Sequence, residues 1–207
     1  MLAVICLGTV YVTQASANTL VVLGDSLSAA HGIAKEEGWV SLLTPRLEKT
    51  GWQVINASIS GDTSDGGVSR LPSLLERHHP QAVLIELGGN DGLRGLPPQR
   101  FKQNLQKLIE MSRAAGATPL LLGIRLPPNY GPAYTQAFEN SYQEISNTLN
   151  TPLLGFFIRD VALQPELMQS DGLHPNAKGQ PLIADRVGNW LEPQLSEIPQ
   201  EMGPKQD

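Results

Sequence analysis

A chain of 207 residues with 41% hydrophobic content can bury one sizeable core but is too short for two full domains. Its 15 basic and 20 acidic residues leave a net charge of −5, with no Lys/Arg cluster to follow a phosphate backbone, so nucleic acid is excluded as a partner. The N-terminal apolar run Leu2–Val12 is too short to span a bilayer as a helix, and no stable membrane insertion is expected.

Residues 1–17 carry no charged side chain and end in Ala15-Ser16-Ala17, the small-x-small pattern that signal peptidase cleaves. A secretory signal cleaved near Ala17 is therefore expected, and with it a periplasmic or secreted mature chain. The basic n-region of such a signal is missing, and the alternative is a buried first strand. Cys6 is the only cysteine and lies in this segment. Ala3-Val4-Ile5 before it lacks the small residue of a lipoprotein site, and the mature chain would have no disulfide.

Short apolar runs then alternate with amphipathic stretches, the pattern of repeated βα units and a parallel sheet. Strands are predicted at Thr19–Leu23, Gln53–Ala57, Ala82–Leu87, Pro119–Ile124 and Pro152–Phe156. Helical spacing marks Trp39–Lys49, Gly66–Arg77, Gln99–Ala115, Tyr134–Leu149 and Ala177–Leu191. Arg113 and Gly116 close the third helix with positive charge and a glycine. Gly123–Pro132, with three prolines and two glycines, reads as a loop. No linker divides the domain over 18–192, and the polar stretch 193–207, with prolines at 193, 199 and 204, is expected to be a flexible tail.

Ligands of an open parallel sheet bind beyond the carboxyl ends of its strands. Ser26 lies three residues after the first run, Gly61 four after the second and Asn90 three after the third, which places them on one rim. In Gly24-Asp25-Ser26-Leu27-Ser28, Ser26 sits at a strand-to-helix junction, where it could cap a helix or act as a nucleophile with a helix dipole behind it. Gly61 could let backbone N–H approach a ligand or simply build a turn, and Asn90 after Gly88-Gly89 could present its amide or close its own turn.

Asp171 and His174, three residues apart before a helix, can deliver a base and its orienting carboxylate from one loop stiffened by Pro175. His31 is the rival base, whereas His78 and His79 read as surface residues. Asp171 and His174 alone make a poor metal site. Together Ser26, His174, Asp171 and Asn90 can fill the roles of nucleophile, base, orienting acid and oxyanion donor. Leu93, Leu96 and Phe101 could form an apolar wall for an acyl chain or pack into the core.

The blocks around Ser26, Gly61, Asn90 and His174 resemble those of the SGNH or GDSL hydrolase superfamily. Asn56–Ser64, Glu86–Gly95 and Ile124–Pro127 resemble its branch of bacterial periplasmic multifunctional esterases, with similarity from about Thr19 to Trp190. The resemblance implies a flavodoxin-like α/β/α sandwich with a five-stranded parallel sheet and a Ser26-His174-Asp171 triad. The implied oxyanion hole comprises Ser26 N–H, Gly61 N–H and the Asn90 side chain, with no metal or organic cofactor.

Asp25, Leu27, Asp91, Leu93 and Leu96 are the expected substrate contacts, with residues 91–98 as a mobile cover for the acyl chain. Ala30-His31 departs from the Gly-aromatic pair often found after the serine block, and Pro132 and Phe138 lie in a variable wall. The expected protein is a monomeric serine hydrolase of small-molecule acyl esters and thioesters, of thioesterase, lysophospholipase or arylesterase type. The alternatives are a carbohydrate O-deacetylase, a non-catalytic flavodoxin-like binding module, or a partner-binding protein with a dead site. A binding module would need a phosphate loop after the first strand, where Gly24-Asp25-Ser26 places a carboxylate.

Overall fold

The structure, a computed structural model, describes residues 18–199; the predicted signal segment, Cys6 and residues 200–207 lie outside that range. Strand β1 (Asn18–Gly24) is buried along its whole length, as expected of an apolar run covered on both faces. It pairs in parallel with β2 (Trp52–Asn56) on one side and β3 (Ala82–Glu86) on the other. Strands β4 (Thr118–Leu122) and β5 (Leu153–Leu154) complete a five-stranded parallel sheet of order 2-1-3-4-5.

Helices α1 (Trp39–Glu48) and α6 (Gln180–Ser196) pack together on one face. Helices α2 (Ser64–His78), α4 (Pro98–Ala114) and α5 (Pro132–Thr148) form the opposite layer, as right-handed crossovers require for this strand order. The expected α/β/α sandwich is the observed fold, and its strand order changes direction between β1 and β3.

Four local expectations change. No helix follows Ser26: the chain turns there, with Ala29 N–H on the Asp25 carbonyl at 2.9 Å, and Ala30 (φ +57°) and Gly32 (φ +75°) stop helical propagation. The helix dipole expected behind Ser26 is thus absent. Asn90 lies in a one-turn helix, α3 (Gly89–Leu93), rather than on a bare turn. β5 is only two residues long because Gly155 and the left-handed Phe156 (φ +29°) divert the chain. The last helix runs through Pro193 to Ser196, since Leu191 and Leu195, four residues apart, keep its apolar face in the core beyond the expected start of the tail.

An aromatic cluster supports the β3–α3 connection. Phe101 stacks on Phe138 with ring centroids 4.3 Å apart, and Tyr142 meets Phe101 edge-on at 5.0 Å. The Tyr142 hydroxyl donates to the Leu87 carbonyl at 2.8 Å, directly before Gly88. Gly88 has φ +134°, and a Cβ there would lie 2.2 Å from the Tyr142 hydroxyl and 2.7 Å from Phe101 Cζ. Gly88→Ala is therefore expected to destabilise the fold by about 3 kcal/mol or more, through overpacking and backbone strain together. Urea unfolding monitored by circular dichroism measures this, and an unchanged midpoint would contradict it.

Candidate active site

The turn after β1 presents Ser26 because Gly24 lets three neighbours close in: a Cβ there would lie 2.7 Å from Ser58 Oγ and 2.8 Å from both Glu86 Oε2 and Ser28 Cβ. His174 reaches the same point from the loop between β5 and α6, with Nε2 2.8 Å from Ser26 Oγ and Nδ1 2.7 Å from Asp171 Oδ2. In the tautomer protonated on Nδ1, His174 donates to Asp171 and accepts from the serine hydroxyl. The other Asp171 oxygen accepts the backbone N–H groups of Leu173 (2.9 Å) and His174 (3.0 Å).

Burial pushes the Asp171 pKa up, but those backbone N–H groups and the His174 ring outweigh it and hold the carboxyl at about 2. The loop is itself fastened: the Gln169 side-chain amide donates to the carbonyls of Pro175 (3.0 Å) and His31 (2.7 Å). His31, the rival base, instead packs its ring against His174 at 4.6 Å.

Gly61 adopts φ +82°, and Arg94 Nη2 donates to its carbonyl at 2.9 Å. Asn90 Nδ2 donates to Asp25 Oδ2 at 3.1 Å. Ser26, Gly61, Asn90 and His174 border one cavity of about 260 Å³. Asp25, Leu27 and Leu93 also line it.

Asp91 and Leu96 do not line it. The Asp91 carboxylate turns inward, accepting the Ser64 N–H at 2.8 Å and the Ser64 hydroxyl, and so ties α3 to α2. Leu96 packs against the core, and Phe101 and Phe138 are fully buried in it. The rest of the apolar wall comes from Ile124, Leu126, Pro127, Ile158 and Leu173. Ile158 carried no signal in the sequence, because only the path of the chain after β5 brings it to the rim.

Two carboxyls lie beneath the site. Asp25, 1% exposed, is raised to about 6 by burial, against the lowering influence of the Leu27 N–H, the Asn90 amide and His174. Burial raises Glu86 well above the usual carboxylate range, and nearby Asp25 adds to the effect. Glu86 Oε2 accepts the Ser28 hydroxyl at 2.6 Å and the Asp25 N–H at 3.3 Å, whereas Oε1 has no hydrogen-bond partner. Among the described residues no three His, Cys, Asp or Glu side chains converge as metal ligands, and no helix is long and apolar enough to cross a membrane.

The profile of the GDSL-like Lipase/Acylhydrolase family matches residues 22–182. Esterase TesA of Pseudomonas aeruginosa is 50% identical over 193 residues, covering 92% of this chain and 96% of that protein. Thioesterase 1/protease 1/lysophospholipase L1 of Escherichia coli K12 is 49% identical over 180 residues, 86% of each chain. The crystal structure of the psychrotrophic esterase EstA from Pseudoalteromonas sp., inhibited by monoethylphosphonate, matches with a TM-score of 0.83 at 48% identity, covering 87% of this chain and 100% of that one.

The shifted carboxyls set opposite pH trends. Asp25 keeps its proton to about pH 6 when folded, whereas an unfolded aspartate loses it near pH 4. The folded state then binds more protons than the unfolded one, so this contribution to stability falls as pH rises from about 4 through 6. Asp171, at about 2 when folded, contributes stability above the unfolded value that is lost as pH falls from about 4 to 2. Urea midpoints measured from pH 2 to 8 should therefore show an acid-side loss that is smaller in Asp171→Asn; an equal loss in the variant would contradict the assignment.

Proposed function

The chain belongs to the GDSL-like lipase/acylhydrolase family, and from that membership we propose that it hydrolyses carboxylic esters and acyl thioesters through an acyl-enzyme on Ser26. The observation that carries this reading is the unbroken Ser26–His174–Asp171 hydrogen-bonded chain, at 2.8 and 2.7 Å, opening on an apolar cavity. Ser26 Oγ attacks the carbonyl carbon as His174 Nε2 takes the hydroxyl proton, and the carbonyl π pair moves onto oxygen. The N–H groups of Ser26 and Gly61 and the Asn90 amide receive that oxyanion.

Collapse of the intermediate expels the alcohol or thiol, which leaves with the proton from His174. Water, deprotonated by His174, then attacks the acyl-enzyme and releases the acid, returning the proton to Ser26. Asp171 keeps its charge throughout and stabilises the imidazolium.

The apolar wall supports acyl chains longer than acetyl, which favours the lipid-like reading over a carbohydrate O-deacetylase. The names of the Pseudomonas and Escherichia relatives support ester and thioester substrates, including lysophospholipids. Export to the periplasm belongs to the same proposal, supported by the signal-like segment that ends in Ala15-Ser16-Ala17.

Hydrolysis of p-nitrophenyl esters from acetyl to palmitoyl tests the reading. Turnover is expected to rise beyond acetyl, to persist in EDTA and to vanish in Ser26→Ala; a maximum at acetyl would select the deacetylase. Asn90→Ala should lose about 3–4 kcal/mol of transition-state stabilisation in kcat, and an undiminished kcat would remove Asn90 from the oxyanion hole.

A further inference from the structure

We propose that Asp25 is a positioning residue for the reaction: its buried carboxylate fixes the Asn90 side-chain amide so that the free Nδ2–H faces the oxyanion. The proposal rests on the reading of Asn90 as an oxyanion donor. An asparagine amide can exchange its N and O ends by a half-turn about its last torsion, and only the nitrogen end can donate. What decides the orientation is the partner of that amide, and an ionised carboxylate, which only accepts, admits only the nitrogen.

Asp25 is held rigidly enough for this task. Its Oδ1 accepts the Leu27 N–H at 3.0 Å, closing a side-chain turn, while its own backbone N–H is anchored on Glu86 at 3.3 Å. Its Oδ2 takes the Asn90 amide at 3.1 Å. A Cβ on Gly89, next to Asn90, would lie 3.2 Å from that same oxygen, so the α3 turn is pressed against the carboxylate. With 1% exposure, water does not compete for these acceptor sites. Both oxygens are occupied as acceptors, which a carboxamide of the same shape cannot reproduce: one donor would face its NH₂ group.

The charged and titratable groups that act on Asp25 are Glu86 at the end of β3, Asp91 on α3 and His174 on the β5–α6 loop. Burial leads, and the balance puts the carboxyl at about 6. Below that pH Asp25 gains a proton and loses one acceptor site, so the hold on Asn90 weakens. The ratio of wild-type kcat to Asn90→Ala kcat isolates what the Asn90 amide contributes at each pH. That ratio should fall as pH drops through about 6.

The experiment combines this ratio with a double-mutant cycle on p-nitrophenyl ester hydrolysis. Asp25→Asn is expected to lower kcat about 10²-fold, the scale of a roughly 1 Å misplacement, with KM nearly unchanged, and to add little in the Asn90→Ala background. A full multiplicative loss in that background, an undiminished kcat in Asp25→Asn, or a pH-independent ratio would overturn the proposal. An Asn90→Ala enzyme with wild-type kcat would instead refute the oxyanion reading, and the inference with it. Should Asp25→Asn not fold, ¹⁵N NMR of wild-type enzyme decides: the Asn90 side-chain amide must follow the Asp25 carboxyl titration, and an indifferent amide would overturn the proposal.

Discussion

The parallel pairing of β1 with β3, which sets Gly24 beside Glu86 at the carboxyl ends of both strands, is the constraint on which the site depends. It places the turn carrying Ser26 next to the turn carrying Asn90, although 64 positions separate those residues in the chain. The strand order changes direction at this point, so the two connections leave toward opposite layers and open a crevice between them. β2, on the far side of β1, brings the Gly61 segment to the same rim, and the loop after β5 closes over it with His174.

The close approach of these strands puts carboxyls where solvent does not reach. Glu86 ends a wholly buried strand, and Asp25 follows the strand beside it. Burying such groups costs stability unless they are protonated or well paired. The chain answers with a Ser28 hydroxyl and a backbone N–H on Glu86, and with two donors on Asp25. Asp91 completes the set by binding Ser64 at the start of α2, so α3 is fastened from below and from the side. The turns that carry Ser26 and Asn90 therefore stand on a polar platform, while the apolar wall of the cavity is assembled from separate segments.

His174 and Asp171 are held differently. Their loop is exposed at Asp171 and fixed by local hydrogen bonds within the segment and by Gln169, rather than by core packing. Local backbone donors stabilise the Asp171 charge, and its three-residue spacing from His174 is short enough for one carboxylate to orient the ring and accept two N–H groups at once.

Much of this was legible in the chain itself. Buried apolar runs alternating with amphipathic ones dictate a parallel sheet covered by helices, because a strand apolar on both faces must be covered on both. The same runs put Ser26, Gly61 and Asn90 after strand ends, and the Asp171–His174 spacing is a local property. The fates of Asp91 and Leu96 were not legible: Asp91 follows the rim residue Asn90 in sequence, but the turn of helix at Gly89–Leu93 directs it toward Ser64, and Leu96, three residues past the rim residue Leu93, packs against the core. Nor could sequence place Ile158, Leu126 or Leu173 on the wall, or turn the Asp25 carboxylate toward the Asn90 amide. Periodicity and turn chemistry are encoded over a few residues, so sequence determined most of the elements and the candidate reacting groups. The cavity wall and the contacts among buried polar groups join segments far apart in the chain, and only the packed tertiary structure decided those.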